Sequence, residues 1–287
     1  MGYSKKISIV IPAKNEAGAL SNLLPAIKKI MPDAEIIVVN DGSTDNTSEV
    51  CLKNEVEEVL HIYSKGNGSA VKSGARKARG SIIVFMDGDG QHKPEDIPRL
   101  LGRYQEGYDL VVGCRDSKSQ ASFGRLAANR IYNKLASWMV GHNVKDLTSG
   151  FRVVNAEKFK EFIYLLPNGF SYPTTSTMAF FRAGYSVCYE PIIAEKREGK
   201  SHINLVKDGV RFLLIIFKVG ILYSPLKIYF PLAVLFAVMA GSYYGYTLFE
   251  YGRLTNMSVI LFVSSIITFL FGLLSEQVTS LMYKKDV

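Results

Sequence analysis

The sequence predicts an α/β fold: a mostly parallel sheet covered by helices on both faces, followed by an amphipathic helix and two apolar helices. Three observations predict it. Short apolar runs alternate with amphipathic segments through the first part of the chain. Polar clusters stand where the apolar runs end, the edge at which open α/β sheets bind ligands. Two stretches near the C-terminus, Ile228 to Phe249 and Met257 to Leu274, hold no charged residue.

Taken in order, strands are expected at Ile7 to Ile11, Glu35 to Val39, near Val59 to Tyr63, Ser81 to Met86 and Asp109 to Gly113. Runs without a polar alternate are what strands buried on both faces look like. Helices are expected from about Ala17 to Met31, after Ser43, around Ala70 to Ala78, and from Pro94. The region from Ser122 to Ile193 is less regular, with helices over about Phe123 to Val140 and Tyr172 to Ala183 and a Gly-rich loop reaching Gly150. There is no internal repeat and no low-complexity segment.

The two uncharged stretches are each about as long as a bilayer core requires. Two such segments in succession are rare inside a soluble core, so a membrane hairpin is expected. Lys218 and Lys227 precede the first span, and Lys284 and Lys285 follow the second. The positive-inside rule then puts both ends in the cytoplasm at the plasma membrane. Between domain and spans, Lys207, Arg211 and Lys218 fall in a narrow sector of one helix, which reads as an interfacial helix with its basic side toward headgroups. A core helix with a solvated edge is the alternative. The expected divisions are 1–202, a globular domain; 203–224, the amphipathic connector; and 225–287, the anchor.

At 287 residues the chain suits one α/β domain with an appendage. Its 34 basic and 26 acidic residues give a net charge of +8; only four basic and three acidic ones lie from Pro225 on, leaving +7 before it. A basic domain on an apolar tail suits anionic headgroups and phosphates. No Lys/Arg run and no RNA- or DNA-binding motif accompanies that charge, which argues against nucleic acid. Three scattered cysteines, Cys51, Cys114 and Cys188, have no metal-ligand spacing and read as reduced, mostly buried thiols. The N-terminus runs straight into a strand pattern with no signal-peptide character, so the first domain is expected to be cytoplasmic.

The chemistry-bearing segment is Asp87-Gly88-Asp89-Gly90-Gln91-His92, after a buried strand. Two carboxylates one residue apart supply hard oxygen ligands for Mg²⁺ or Mn²⁺, ions that bridge diphosphate oxygens. Acidic turns also cap helices, and alone this pattern says little. Two further strand ends, Pro12-Ala13-Lys14-Asn15-Glu16 and Asn40-Asp41-Gly42-Ser43-Thr44-Asp45, put polar groups on the same edge. Asp41 could accept hydrogen bonds from a base or ribose, while Ser43 or Asp45 caps the next helix. Lys65-Gly66-Asn67-Gly68 lacks the third glycine of a dinucleotide loop and reads as a packing turn.

With these motifs in this order, the chain resembles glycosyltransferase family 2 proteins of the GT-A fold. It is most similar to their polyprenyl-phosphate group, which includes dolichol-phosphate mannose synthases and bacterial undecaprenyl-phosphate glucosyltransferases. The similarity runs from about Ser8 to His202, and the two spans match the bacterial members.

The resemblance implies transfer of a sugar from a UDP- or GDP-hexose to a polyprenyl phosphate, inverting and dependent on Mg²⁺ or Mn²⁺. It places Pro12, Lys14 and Glu16 at the nucleotide, with Lys14 where an aromatic is frequent, and Val39 and Asp41 at base and ribose. Asp87, Gly88, Asp89 and Gln91 match the D-[AG]-D-x-Q segment, with Asp87, Asp89 and Gln91 around the metal. Arg115 and Arg125 match cations for the acceptor phosphate. Asp146, opening Asp146-Leu147-Thr148-Ser149-Gly150-Phe151-Arg152, faces the reaction centre, where it could orient groups, accept a proton or stabilise the Ser149-Gly150 turn. Arg197, Ser201 and His202, the last where lysine is usual, match a segment that closes over the donor. Tetramers occur among similar proteins. A processive polysaccharide synthase is the nearest rival, but those carry Q-x-x-R-W, whereas the sole tryptophan here, Trp138, stands in Ser137-Trp138-Met139. A non-catalytic sugar-nucleotide-binding membrane protein is the other.

Overall fold

The computed structural model describes residues 7–115, 123–169, 171–193, 220–221 and 223–282, with the side chains of 123–129 outside that description. Among the described residues seven strands form one sheet: β1 (Ile7–Ala13), β2 (Glu35–Asn40), β3 (Glu57–Leu60), β4 (Ile82–Phe85), β5 (Leu110–Arg115), β6 (Arg152–Asn155) and β7 (Val187–Ile192). Their order is β3-β2-β1-β4-β6-β5-β7. Only β6 is antiparallel to its neighbours, pairing Phe85 with Arg152 on β4 and Val112 with Arg152 on β5. The helices are α1 (Ala17–Ile30), α2 (Thr47–Lys53), α3 (Asn67–Lys77), α4 (Ile97–Gln105), α5 (Phe123–Val140), α6 (Ala156–Lys160) and α7 (Tyr172–Arg182), then the apolar α8 (Pro225–Tyr251) and α9 (Asn256–Met282).

The chain divides into two compact units, 1–137 with 142–203, and 138–141 with 204–287. In the first, the expected strands and helices are present with shifted ends. The third strand is moved earlier: β3 ends at Leu60, and Ile62 and Tyr63 lie exposed beyond it. Pro94 opens a 3₁₀ turn (Pro94–Asp96) before α4. The strands β6 and β7 and the short α6 lie in the region read as irregular. Every residue of β1 is buried, as are Ile36 to Asn40 of β2 and all of β4, because helices cover both faces. Leu20, Leu24 and Ile27 of α1 and Leu100 and Leu101 of α4 close the core on Ile9, Ile11, Val84, Val111 and Val153.

The Lys65–Gly68 turn is a packing turn: Gly68 N donates to the Gly169 carbonyl (3.1 Å) and Ser69 N to that of Asn168 (2.9 Å).

In the second unit α8 and α9, each 27 residues long and apolar enough to cross a membrane, run beyond the expected uncharged cores into their polar flanks. Their large apolar side chains, among them Phe249, Leu274 and Leu281, point outward. Small residues at multiples of seven, Ala233, Ala240 and Thr247 on α8 and Ser258, Gly272 and Thr279 on α9, are buried instead. This pattern suits two helices packed closely in lipid. Of the connector expected at 203–224, residues 203–219 and 222 lie outside the described residues, as do Lys284 and Lys285.

Close packing of α3 on the sheet depends on Gly74, where a Cβ would stand 2.2 Å from Val10 Cγ1 and 3.0 Å from Val39 Cγ2. Gly74→Ala should therefore destabilise the globular unit by about 1–3 kcal/mol through overpacking. An unchanged thermal midpoint of the detergent-purified chain would contradict this packing.

Candidate active site

Because β6 is reversed, its N-terminal loop reaches the same sheet edge as the C-terminal ends of β1, β2, β4 and β5. The β1–β4 ladder continues past β4: Met86 N donates to the Val10 carbonyl (3.1 Å) and Gly88 N to that of Pro12 (3.3 Å). Asp87 and Asp89, both half-buried, therefore project from a turn fixed to β1. Asp89 Oδ1 accepts from Gln91 N (3.2 Å). Gly150 faces Asp87, where a Cβ would lie 2.4 Å from Asp87 Oδ2. Only glycine leaves that space.

Arg115 closes β5 and forms a fork with Asp146: Nε donates to Oδ2 (2.9 Å) and Nη2 to Oδ1 (3.1 Å). Nη2 also reaches Thr148 Oγ1 (2.6 Å). Among the described residues no partner of Nη1 is seen, and the Arg115 side chain is 27% exposed. Asp146 is 5% exposed and accepts from Thr148 N (3.0 Å) and Ser149 N (3.2 Å) as well. Burial acts to raise its pKa, but the hydrogen bond and charge of Arg115 and the backbone donors hold the carboxyl below the ordinary value. Asp146 both orients Arg115 and stabilises the turn, two of the roles the sequence leaves open. Such a depressed carboxylate is a poor proton acceptor.

His92, 5% exposed, stacks on Phe151 with ring centroids 5.1 Å apart. Burial, with Arg115 nearby, pulls its pKa down to about 4 against the opposing pull of Asp89 and Asp146, so the imidazole is neutral at physiological pH. Arg152, fully buried, donates to oxygens of Ser149, Pro173, Ser176 and Thr177.

Two expected nucleotide contacts need correction. Val39 is 0% exposed, its side chain turned into the core toward Gly74, so it has no side-chain surface for a base. Asp41 is 4% exposed and its carboxylate is filled internally: Oδ1 meets His61 Nδ1 (2.7 Å) and Lys65 N (2.8 Å), Oδ2 meets Ser64 Oγ and Gly66 N (2.8 Å each). Four donors occupy the lone pairs a ribose would need. Asp41 instead fixes the loop after β3. Pro12 is likewise buried and acts through its carbonyl, whereas Lys14 is exposed and Glu16 half-buried. The neighbouring loops are cross-tied, Asn15 N to Ser43 Oγ (2.9 Å), Thr44 N to Asn15 Oδ1 (2.8 Å) and Ala17 N to Asp45 Oδ2 (3.0 Å). Asp45 also accepts from Thr47 N (3.1 Å), the first residue of α2, whose N-cap position is Asn46 and not the expected Ser43 or Asp45. Arg125 lies on α5; its side chain, and Arg197, Ser201 and His202, lie outside the described residues.

No group of three or more His, Cys, Asp or Glu placed to hold a metal occurs among the described residues. Asp87, Asp89 and the Gln91 amide still fit a divalent ion that completes its shell with ligand oxygens and water, as Mg²⁺ and Mn²⁺ do. The cleared space at Gly150 lets the Asp87 carboxylate stand at this edge.

Burial acts to raise the Asp41 pKa, but the bonds from His61, Lys65 N, Ser64 and Gly66 N outweigh it and lower it from 3.8 to about 2. A depressed carboxylate stabilises the fold above its unfolded pKa and loses that contribution as pH falls through the folded value. Asp41 should thus contribute about 2 kcal/mol near neutrality, lost between pH 4 and about 2. Asp41→Asn should flatten acid unfolding in that window; an unaltered acid limb would contradict the assignment.

Residues 8–163 match the glycosyl transferase family 2 model, and residues 224–281 match the GtrB C-terminal hairpin. Undecaprenyl-phosphate 4-deoxy-4-formamido-L-arabinose transferase of Serratia proteamaculans is 32% identical over 223 residues, 71% of this chain and 64% of that protein. The protein of the same name from Photorhabdus laumondii is 35% identical over 152 residues, 50% of this chain and 46% of that one. The chain thus spans about half to two-thirds of the length of these curated relatives. Glucosyl-3-phosphoglycerate synthase from Mycobacterium tuberculosis, solved with Mn²⁺, UDP-glucose and phosphoglyceric acid, superposes with a TM-score of 0.61 at 20% identity, covering 75% of this chain and 79% of that one. That likeness shows the shared fold. With the family model covering more than half of its residues, the chain belongs to glycosyl transferase family 2.

Proposed function

We propose that the protein is an inverting glycosyltransferase, anchored in the plasma membrane by its C-terminal hairpin, that moves a sugar from a UDP- or GDP-sugar to a polyprenyl phosphate. The catalytic unit and both termini are read as cytoplasmic. The observation that carries the reading is the meeting, at one sheet edge, of an Asp87/Asp89 turn suited to a divalent ion and an Arg115 fork held by Asp146. The curated relatives, named for transfer to undecaprenyl phosphate, support the acceptor class. The solved synthase, which holds Mn²⁺ with UDP-glucose, supports the donor class and the metal.

Asp87, Asp89 and Gln91 would hold Mg²⁺ or Mn²⁺, and the bound ion supplies charge compensation for the departing diphosphate. A phosphate monoester has a second pKa near 6 and is largely dianionic at neutral pH. Such a nucleophile needs positioning and charge compensation more than a base. Arg115 provides both, with Nη1 presented to phosphate while Asp146 fixes its plane. Arg125 is assigned to the same phosphate. Lys14 and Glu16 stand by the nucleotide, Asp41 orders the loop beside it, and Arg197, Ser201 and His202 are read as the donor-closing segment. Attack from the face opposite the diphosphate inverts the anomeric carbon.

Incubating the full chain with polyprenyl phosphate, a panel of nucleotide sugars and Mn²⁺ should give a lipid-linked monosaccharide by mass spectrometry. Asp89→Ala should lower turnover on the order of a hundredfold or more. Failure of every donor, or a water-soluble polymer as product, would refute the reading. Asp146→Asn should cut turnover on the order of a hundredfold by releasing Arg115. An Asp146→Asn rate recovering fully at high pH would instead reveal Asp146 as a base.

A further inference from the structure

Arg152 is among the largest fully buried side chains, and the chemistry above does not use it. Its Nη1 donates to the Pro173 carbonyl (3.1 Å), Ser176 Oγ (2.8 Å) and Thr177 Oγ1 (3.3 Å), and its Nη2 to the Ser149 carbonyl. Its Nε has no hydrogen-bond partner among the described residues. All four oxygens belong to neutral groups. Burying a cation this way is costly, and an apolar side chain of the same volume could fill the space. The guanidinium must therefore hold something that an apolar filler would not.

What it holds is the turn before β6. Arg152 fixes the Ser149 carbonyl, and the Tyr172 hydroxyl, whose ring lies 5.7 Å from Arg152 Cζ, donates to the Gly150 carbonyl (3.2 Å). Both carbonyls of the Ser149–Gly150 turn are thus tied from behind. The front of that turn is the wall against which Asp87 sits, with no room for a Cβ on Gly150. We propose that Arg152 is a positioning residue for Asp87: by locking the Ser149–Gly150 turn it sets where the Asp87 carboxylate meets a divalent ion. Lysine could not replace it, because one ammonium cannot span oxygens of the turn and of the first residues of α7 at once. The inference rests on the metal role given to Asp87 above.

The test uses the full chain in detergent, with Mn²⁺ binding read by water-proton relaxation and UDP and GDP binding read by calorimetry in EDTA. Arg152→Lys should weaken Mn²⁺ binding on the order of tenfold or more, leaving nucleotide binding in EDTA within about twofold. Arg152→Met separates position from charge. Loss of a positioning residue weakens Mn²⁺ binding, whereas removal of a merely repelling cation strengthens it, and strengthening would overturn the proposal. A folded Arg152→Lys chain that binds Mn²⁺ like the wild type also overturns it. If neither variant folds, Tyr172→Phe decides, weakened Mn²⁺ binding supporting the proposal and unchanged binding overturning it. A wild-type chain that binds no Mn²⁺ sinks the functional reading and this proposal together.

Discussion

The reversal of β6 is the constraint on which the site depends. A parallel strand in that place would deliver its preceding loop to the N-terminal edge of the sheet, away from the ends of β4 and β5. Running antiparallel, β6 carries Asp146 to Phe151 to the C-terminal edge, and its ladder with both neighbours holds that loop in register. Phe151 contributes twice, its carbonyl accepting from Gly113 N (2.9 Å) and its ring stacking on His92. The strands beside Asp87 and Arg115 are thereby joined through the loop that contacts both.

Charge at this edge is arranged in layers. Arg115 and Asp146 form a partly buried fork, which keeps both ionised and spends the anion on orientation. Arg152 sits deeper, bonded to neutral oxygens, its pKa lowered by burial against the opposing effect of Tyr172, Tyr189, Asp146 and Asp87. His92 remains neutral beside Arg115 and Asp146. One cation, Arg115, and the carboxylates Asp89, Asp96 and Asp146 therefore act on an imidazole that adds no charge of its own.

The strand ends and their motifs were legible in the sequence because polar clusters cannot sit inside a sheet buried on both faces; Asp87, Asp89 and Arg115 fall at such ends. The arrangement of 122–193 was not. Arg152-Val153-Val154-Asn155 is too short to show a period, and nothing local encodes that it pairs antiparallel between β4 and β5. The two nucleotide contacts failed for a related reason. The side Val39 presents is set by α3, and the donors that fill Asp41 come from residues twenty to twenty-five positions later. Arg152 read as the last letter of a motif, since only packing reveals that its partners lie on α7.

In the hairpin the sequence carries a different kind of information. Length and lack of charge mark α8 and α9, but the seam between them is written in small residues at multiples of seven, a spacing that keeps one face of each helix in contact. The polar atoms on that seam are spent on nearby groups: Ser265 Oγ donates to the Ala233 carbonyl (2.8 Å), Thr279 Oγ1 to that of Ile221 (3.2 Å), and Thr247 Oγ1 to that of Tyr244 (3.1 Å). Glu276 accepts from Leu226 N (3.3 Å), placing its carboxylate at the start of α8, where free backbone donors and the helix dipole favour an anion. Ser265, Thr247 and Glu276 are satisfied within the helix pair and Thr279 by the residue run just before it, which is what a span in hydrocarbon would require. Among the described residues the pair offers no polar cluster of its own, and the chemistry is left to the residues gathered at the reversed strand.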